Sequence, residues 1–275
     1  METRIRYMAR SPILQTEKAF STDFPVDHVD DARSTNLVAD DRPVTVHAIQ
    51  DPNQWELDTH GFCILRAEVH LDLDRIDTHR REVENAFWYD IEAILHEKFP
   101  RYSRIEAYDL TVRRRDLDFP QRVRQYDPSH EQPAEIAHSD TSQRGGFLVL
   151  QHCFPGQDDY WKHKDFDIIN VWRPLRRPTD DWPLALCDYT TIDQENDLLL
   201  NDAIRRDTIS ENSLMHFNAA HKWYYLKDQG INDLLVFRNS DSGGKRARGF
   251  HAAVWNPKAT GPPRESVEVR LVAFY

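Results

Sequence analysis

Short apolar or alternating runs, separated by prolines and polar clusters, make up most of the chain after residue 100. Runs of this length and pattern are typical of β-strands. They are RIEAYDLTVRR (104–114), GFLVLQHCF (146–154), FDIINVWRPL (166–175), LALCDY (184–189), HKWYYL (221–226), NDLLVFR (232–238), GFHAAVW (249–255) and ESVEVRLVAFY (265–275). Many short strands divided by turn signals predict a mainly β fold of the sandwich or jelly-roll type.

One stretch has the periodicity of a helix. Between residues 74 and 98, apolar side chains recur every three or four positions, with charged residues between them. Asp74 could cap this helix, and Pro100 would stop it. We therefore expect a helix at 74–98 that covers the core with its apolar face.

The rest of the chain gives fewer signals. Residues 1–55 are polar and rich in aspartate, which indicates an N-terminal arm wrapped on the domain. HGFCIL (60–65) predicts a short strand after a turn at Gly61, and 192–206 is a candidate helical insertion. Because the sequence contains no repeat and no low-complexity linker, we expect a single domain over 1–275.

The amino-acid composition of the chain argues against several classes of binding partner. The net charge of −11 opposes binding to phosphate backbones and disfavours docking on anionic membranes. Cys63, Cys153 and Cys187 are far apart, so we expect neither a disulfide framework nor a structural zinc site. The sequence has no apolar signal segment and no run of 18 apolar residues. We expect a cytoplasmic protein that acts on a small molecule, with no nucleic-acid or membrane partner and an unknown oligomeric state.

Histidine and aspartate two positions apart are the first candidates for chemistry. The chain has four such pairs, which are His28–Asp30, His70–Asp72, His138–Asp140 and His163–Asp165. In a chain with thirteen histidines, most of these pairs must be accidental. The first lies in the acidic arm, and the second precedes the helix without a strand beside it. The third and fourth stand next to apolar runs, and the fourth is a rival although its surroundings are very polar.

A third ligand is available near the end of the chain. His251 follows a glycine-rich basic loop, and although an isolated histidine of this kind is usually structural, it acquires a meaning beside His138 and Asp140. Two histidines and one carboxylate on one face of an octahedral metal leave three positions open, as in the non-haem Fe(II) oxygenases. His216 and His221 are rival third ligands, but no arginine follows either of them at the right distance with a strand between.

Arginine in the last strand supplies a matching anchor. Arg264 comes thirteen residues after His251, and its planar fork could hold the far carboxylate of 2-oxoglutarate in a bidentate way. Ser266 would share its face on an alternating strand and could donate to the same carboxylate. Arg270 is the alternative anchor if no bulge interrupts the strand. The open metal positions would then take 2-oxoglutarate and O2.

Longer motifs resemble a known family. INVWRPLRRPTDDWPLALCD (169–188), HKWYYL (221–226), DLLVFRNSDS (233–242) and PRESVEVR (263–270) are similar to the asaB-type hydroxylase/desaturase family of fungi. That family includes gibberellin desaturase and resembles an accessory protein of cephamycin methoxylation. The resemblance runs from about residue 55 to residue 275. It implies a double-stranded β-helix (a cupin-like jelly roll) with supporting N-terminal helices, and His138, Asp140 and His251 as its metal ligands.

The resemblance also implies a function. It predicts an Fe(II)- and 2-oxoglutarate-dependent dioxygenase of fungal secondary metabolism, with Arg264 as the cosubstrate anchor, that hydroxylates, desaturates or closes a ring in a small molecule. The alternatives are a non-catalytic cupin-like accessory or binding protein and a sandwich with a closed structural metal site. An amino acid or another carboxylic acid is the expected substrate if the cluster of Arg113, Arg114 and Arg115 binds it. The candidate substrate residues are Arg113, Arg114, Arg115, Asn170 and Trp172, for which ion pairing at a solvated edge or core packing are the ordinary roles.

Overall fold

The computed structural model describes residues 1–26, 28–76, 78–121 and 131–275. Strands make up most of its regular structure. They are β1 (Glu2–Met8), β2 (Ala19–Thr22), β3 (Ala39–Ala48), β4 (Phe62–Arg66), β5 (Arg104–Arg114), β6 (His138–Ser139), β7 (Phe166–Pro174), β8 (Leu184–Cys187), β9 (Leu198–Ile204), β10 (Ile209–Met215), β11 (Trp223–Tyr225), β12 (Asp233–Asp241), β13 (His251–Ala253) and β14 (Glu265–Phe274). The helices are α1 (Leu57–His60), α2 (Arg80–Lys98), α3 (Gln143–Cys153) and α4 (Asp158–Trp161).

The strands form two sheets. The larger has nine strands in the order β1-β3-β11-β8-β13-β6-β10-β9-β2, and the smaller has five in the order β4-β12-β7-β14-β5. Trp172 and Phe237 of the smaller sheet pack against Leu184 and Leu186 of the larger one, so the two sheets face each other. The mainly β prediction is confirmed, and every late strand from 166 onward that the apolar runs predict is present.

Helix α2 covers the outer face of the smaller sheet. Its buried residues Val83, Phe87, Ile91 and Leu95 pack on that sheet in the largest apolar cluster. The predicted end near Pro100 is right, but the predicted start at Asp74 is wrong, because the helix begins at Arg80 after a turn. None of the helices in the described part of the chain has both the length and the apolar character needed to span a bilayer.

Two segments differ in type from the prediction. The run 146–154 belongs to helix α3 and not to a strand, since Ser142 caps its N-terminus by accepting a hydrogen bond from the Gly145 N–H at 2.9 Å. Leu150 in the helix and Phe154 directly after its end pack into the same buried apolar cluster. The segment 192–206 is not helical, because its leucine run forms β9, which pairs with β10 in an antiparallel hairpin.

The N-terminal segment is part of the larger sheet. Within residues 1–55, β1 and β3 form one edge of the nine-stranded sheet and β2 forms the other. The predicted arm therefore extends the sheet at both sides, and its polar composition follows from its position at the edges. The short strand at 60–65 and the turn at Gly61 are confirmed, with Gly61 in the left-handed region at φ 81°.

Candidate metal and cosubstrate site

Strand register brings the two predicted histidines together. His138 in β6 and His251 in β13 are direct cross-strand partners, and their ring centroids lie 4.3 Å apart. Asp140 follows two residues after His138, and its Oδ1 lies 3.1 Å from His138 Nε2 and 3.7 Å from His251 Nε2. One ligand atom from each of the three lies within 4.8 Å of the others. In the described ranges, no other three ligating side chains come this close together.

The backbone contacts of both histidines favour the tautomer in which Nε2 can bind a metal. His138 Nδ1 lies 2.7 Å from the carbonyl oxygen of Ile136, and His251 Nδ1 lies 3.0 Å from that of Gly249. A carbonyl oxygen only accepts, so Nδ1 carries the proton in each neutral ring and Nε2 keeps its lone pair. This is the usual second contact of a metal-ligating histidine. Two Nε2 atoms and one carboxylate oxygen therefore converge as donors that fit a divalent metal.

The other oxygen of Asp140 is already bound. Asn170 Nδ2 donates to Asp140 Oδ2 at 2.8 Å, and Arg270 Nε donates to the same oxygen at 2.9 Å. Oδ1 is thus the oxygen that faces the histidines. Burial favours the neutral acid, but the charge of Arg270 outweighs it, as do the two histidines when they are protonated and donate from Nε2 in the absence of a metal, and the pKa of Asp140 is held well below its usual range. The carboxylate is ionised at neutral pH, as a metal ligand must be.

Arg270 is a site residue that the sequence interpretation considered only as an alternative to Arg264. Its strand β14 has a register shift, but that shift falls after Arg270. The side chains of Ser266, Glu268 and Arg270 therefore lie on one face of β14. Arg264, directly before the strand, continues the same spacing of two. In the sequence, the position of Arg270 an even number of residues after Arg264 indicated that the two share a face. The contact between Arg270 and Asp140 could not be predicted from that spacing.

Arg264 and Ser266 lie buried beside the metal ligands. Arg264 is 1% exposed, and its Nη1 donates to the carbonyl oxygen of Trp182 at 2.7 Å. Its guanidinium carbon lies 5.4 Å from the ring centroid of Trp172. Arg264 Nε and Ser266 Oγ are buried without a hydrogen-bond partner among the described residues. Burial, aided by the positive charge of Arg113, lowers the pKa of Arg264 to about 9 despite Asp181 and Glu268.

These features fit a carboxylate ligand. A buried cation with unused donors is unfavourable until an anion pairs with it. A cavity joins Arg264 to the metal ligands. Its lining residues are Arg113, Ala134, His138, Asp140, Trp172, Leu184, His251, Ala253, Arg264 and Glu268.

The three predicted substrate arginines have different surroundings. Arg113 lines the cavity, whereas Arg114 points to the other face of β5 and its Nε lies 3.4 Å from Glu265 Oε1. Arg115 Nε donates to Asp181 Oδ2 at 2.6 Å. The expectation of one three-arginine clamp does not match this placement, because neighbouring residues of a strand face opposite sides.

The remaining sequence candidates divide between the cavity and the core. Trp172 faces the cavity, as the substrate hypothesis requires. Asn170 uses its amide on Asp140. The rival ligands have other partners, since His216 Nδ1 lies 2.8 Å from the Met8 carbonyl oxygen and His221 Nε2 lies 3.0 Å from Asp197 Oδ2.

Comparison with known proteins agrees with this geometry. The family described as "Oxidoreductase/YMDC permease-like domain" matches residues 5–274. The chain belongs to this family. The Fe(II)/2-oxoglutarate-dependent dioxygenase nvfI of Aspergillus novofumigatus is 27% identical over 230 residues, covering 81% of this chain and 79% of that protein. The hydroxylase/desaturase efuI of Hormonema carpetanum is 28% identical over 156 residues, covering 52% of each chain.

A solved structure establishes the fold. The iron and alpha-ketoglutarate-dependent endoperoxidase NvfI superposes with a TM-score of 0.83 at 22% sequence identity, covering 100% of this chain and 97% of that one. The predicted double-stranded β-helix is confirmed, and so is the resemblance to fungal hydroxylase/desaturase proteins.

Proposed function

We propose that this chain is an Fe(II)- and 2-oxoglutarate-dependent oxygenase that oxidises a C–H bond of a small molecule. The observation that carries the proposal is the position of three metal donors and of the buried pair Arg264 and Ser266 on one cavity. Its relatives named as dioxygenase and hydroxylase/desaturase support the same chemistry. The proposed C–H oxidation results in hydroxylation, desaturation or oxidative ring closure of the substrate.

The proposed metal ligands are His138, Asp140 and His251. Neutral imidazole and a hard carboxylate suit Fe(II), and three protein ligands leave three positions open. With 2-oxoglutarate and O2 bound, iron supplies the oxidising chemistry of this site. Asn170 and Arg270 keep Asp140 Oδ2 occupied, which directs Oδ1 to the metal.

The proposed cosubstrate residues are Arg264 and Ser266. Trp182 holds one end of the guanidinium through its backbone carbonyl, and the guanidinium carbon lies over the ring of Trp172. The unpaired Nε of Arg264 and the hydroxyl of Ser266 can then donate to the distal carboxylate of 2-oxoglutarate. Ala134, Trp172, Leu184 and Ala253 give the cavity apolar walls that exclude water and can position a substrate carbon.

The function is tested by 2-oxoglutarate titrations of the anaerobic Fe(II)-loaded protein. Wild type should bind 2-oxoglutarate only with the metal, and Arg264→Leu should lose roughly 2–5 kcal/mol of that binding while keeping iron. Arg264→Lys should recover part of it, because the charge remains and the fork is lost. A non-catalytic accessory protein would show no metal-dependent binding, and that result in wild type would refute the proposal.

We also propose a broader setting for this site. Residues 1–275 would act as a single domain, because strands from both ends of the chain enter the same sheets. A cytoplasmic location agrees with the free cysteines Cys63, Cys153 and Cys187. An amino acid or another carboxylic acid is our hypothesis for the substrate, with Trp172 of the cavity lining as a candidate contact.

A further inference from the structure

Two guanidinium groups converge on the cavity. Arg113 and Arg264 both line it, and Arg113 is the direct cross-strand partner of Ser266 in the pairing of β5 with β14. Direct partners stand on the same face of a sheet with Cβ atoms about 4.5–5.5 Å apart. Arg113 therefore stands beside the hydroxyl that has no partner among the described residues.

The two carboxylates that line the cavity, Asp140 and Glu268, do not neutralise the charge of Arg113, because both pair with Arg270. Arg270 Nε donates to Asp140 Oδ2 at 2.9 Å, and Arg270 Nη2 lies 2.9 Å from Glu268 Oε1. One arginine outside the lining thus pairs with both acidic residues that line the cavity. Among the described residues, neither Asp140 nor Glu268 forms an ion pair with Arg113 or Arg264, although Glu268 and Asp181 act on the charge of Arg264 at longer range.

The existing contacts of Arg113 leave part of its fork free. Its Nη1 donates to the Gln132 carbonyl oxygen at 2.7 Å and lies 2.8 Å from Glu131 Oε2. The Glu131 side chain is 49% exposed, so water screens that pair. Within the described residues, no hydrogen bond uses Arg113 Nε or Nη2, and those atoms can bind a ligand.

We propose that Arg113 is a second anchor for the distal carboxylate of 2-oxoglutarate, together with Arg264 and Ser266. This inference rests on the proposed function and reassigns Arg113 from the substrate to the cosubstrate. A carboxylate offers about four acceptor positions, more than Arg264 and Ser266 occupy. An anion between the two guanidiniums also removes their mutual repulsion, which otherwise opposes the charge of Arg264.

Calorimetric titration with two 2-oxo acids tests this role. The protein is loaded with Mn(II), which does not support turnover, and is titrated with 2-oxoglutarate or with 2-oxopentanoate, which has a methyl group in place of the distal carboxylate. Arg113→Leu should weaken 2-oxoglutarate roughly 10- to 100-fold, the usual range for a hydrogen bond to a charged group. Its affinity for 2-oxopentanoate should not change, and Arg113→Lys should be intermediate.

Arg114→Leu is the matched control for these titrations. It removes the neighbouring guanidinium from the same strand, but on the face that leads away from the cavity toward Glu265. It should bind both acids as wild type does. Mn(II) affinity and the thermal midpoint of each variant show whether it is folded, and Arg113→Gln replaces Arg113→Leu if the leucine variant is not.

Three results would overturn the assignment. Arg113→Leu could bind 2-oxoglutarate as tightly as Arg114→Leu does, while Arg264→Leu loses it, and then only the role of Arg113 is wrong. Arg113→Leu could weaken both acids equally, which would indicate a change at the metal. Finally, wild type could fail to bind 2-oxoglutarate at all, in which case the proposed function fails first and the role of Arg113 falls with it.

Discussion

Each proposed metal ligand uses one atom for the metal and another for the protein. The carbonyl oxygens of Ile136 and Gly249 accept from the Nδ1 atoms of His138 and His251. Asp140 Oδ2 accepts two hydrogen bonds from side chains. Because these contacts are made by the chain itself, the donor atoms are oriented before any metal arrives, which reduces the entropy that binding must remove.

Removing any ligand should therefore weaken metal binding. His138→Ala, Asp140→Ala and His251→Ala should each lose at least about tenfold in Fe(II) affinity, since outer contacts alone contribute 10- to 100-fold. Anaerobic metal titration measures this, and His163→Ala is the control because His163 lies outside the cluster. Full iron binding by His251→Ala would show that the third ligand is misassigned.

Arg270 should act on the metal through Asp140. Arg270→Leu frees Asp140 Oδ2 from one of its two donors and removes the charge that keeps the carboxylate ionised. We expect Fe(II) affinity to fall roughly 10- to 100-fold, with partial recovery in Arg270→Lys. The comparison with Arg264→Leu decides between the arginines: if Arg270→Leu keeps iron and loses 2-oxoglutarate while Arg264→Leu does not, the cosubstrate anchor is Arg270.

At the scale of elements, His251 is positioned where the segment before β13 packs closely against β12 and against the turn at Gly61. A Cβ on Gly249 would lie 2.5 Å from Phe237 Cβ and 2.9 Å from the Gly61 carbonyl oxygen. The Phe237 ring in turn packs on His251, with centroids 4.6 Å apart. The segment before β13 can thus lie against β12 and the turn at Gly61 only because residue 249 has no side chain.

Gly249→Ala should consequently destabilise the fold. Forcing a methyl group into this contact should cost roughly 1–3 kcal/mol in the free energy of unfolding, as overpacking usually does. Denaturant unfolding measures the loss. Gly261→Ala is the matched control, since a Cβ there meets no atom within 4 Å, and equal stability of the two variants would contradict the packing argument.

The elements that the sequence predicted correctly are those with a local signal. The strands β7, β12 and β14 are buried apolar or alternating runs between turn residues, so their pattern identifies them. Helix α3 was missed because a short apolar run such as 146–154 fits a buried strand as well as a helix. The hairpin β9–β10 was missed because its pairing depends on a partner strand that periodicity does not reveal.

The site was predictable to the same degree. The order of His138, Asp140, His251 and Arg264 along the chain predicted the candidate site, and the register of β6 with β13 places the two histidines side by side. The contacts of Arg270 and Trp182 depend on which loops and strands meet in space, and the spacing of residues in the sequence does not predict those contacts.

At the scale of the whole molecule, one buried carboxylate joins three distant segments. Glu211 in β10 is 3% exposed and accepts hydrogen bonds from Ser142 at the start of α3, from Lys18 before β2 and from Arg144 at 3.1 Å. Burial favours its neutral form, but Lys18, Ser142 and Arg144 outweigh burial and lower the pKa of Glu211 below its ordinary 4.5. The edge of the larger sheet and helix α3 are thereby held to the same strand.

This network should make the stability of the protein depend on pH in the acid range. A carboxyl group whose pKa is lower in the folded than in the unfolded state stabilises the fold above about pH 4.5, and this contribution is lost as the pH falls through the folded-state pKa.

Glu211→Gln removes the ionised group, so we expect it to lower the free energy of unfolding by roughly 1–3 kcal/mol at pH 7. The difference between the two proteins should begin to shrink below pH 4.5, where the unfolded wild-type chain takes up a proton at Glu211, and should be smallest once the pH has fallen through the lower folded-state pKa and the side chain is neutral in both states. Urea unfolding of both proteins from pH 7 down to the acid limit of folding measures it, with Glu17→Gln as the control because Glu17 pairs only at the surface. A difference that stays constant with pH would show that Glu211 stabilises the fold by its shape and hydrogen bonds and not by its charge.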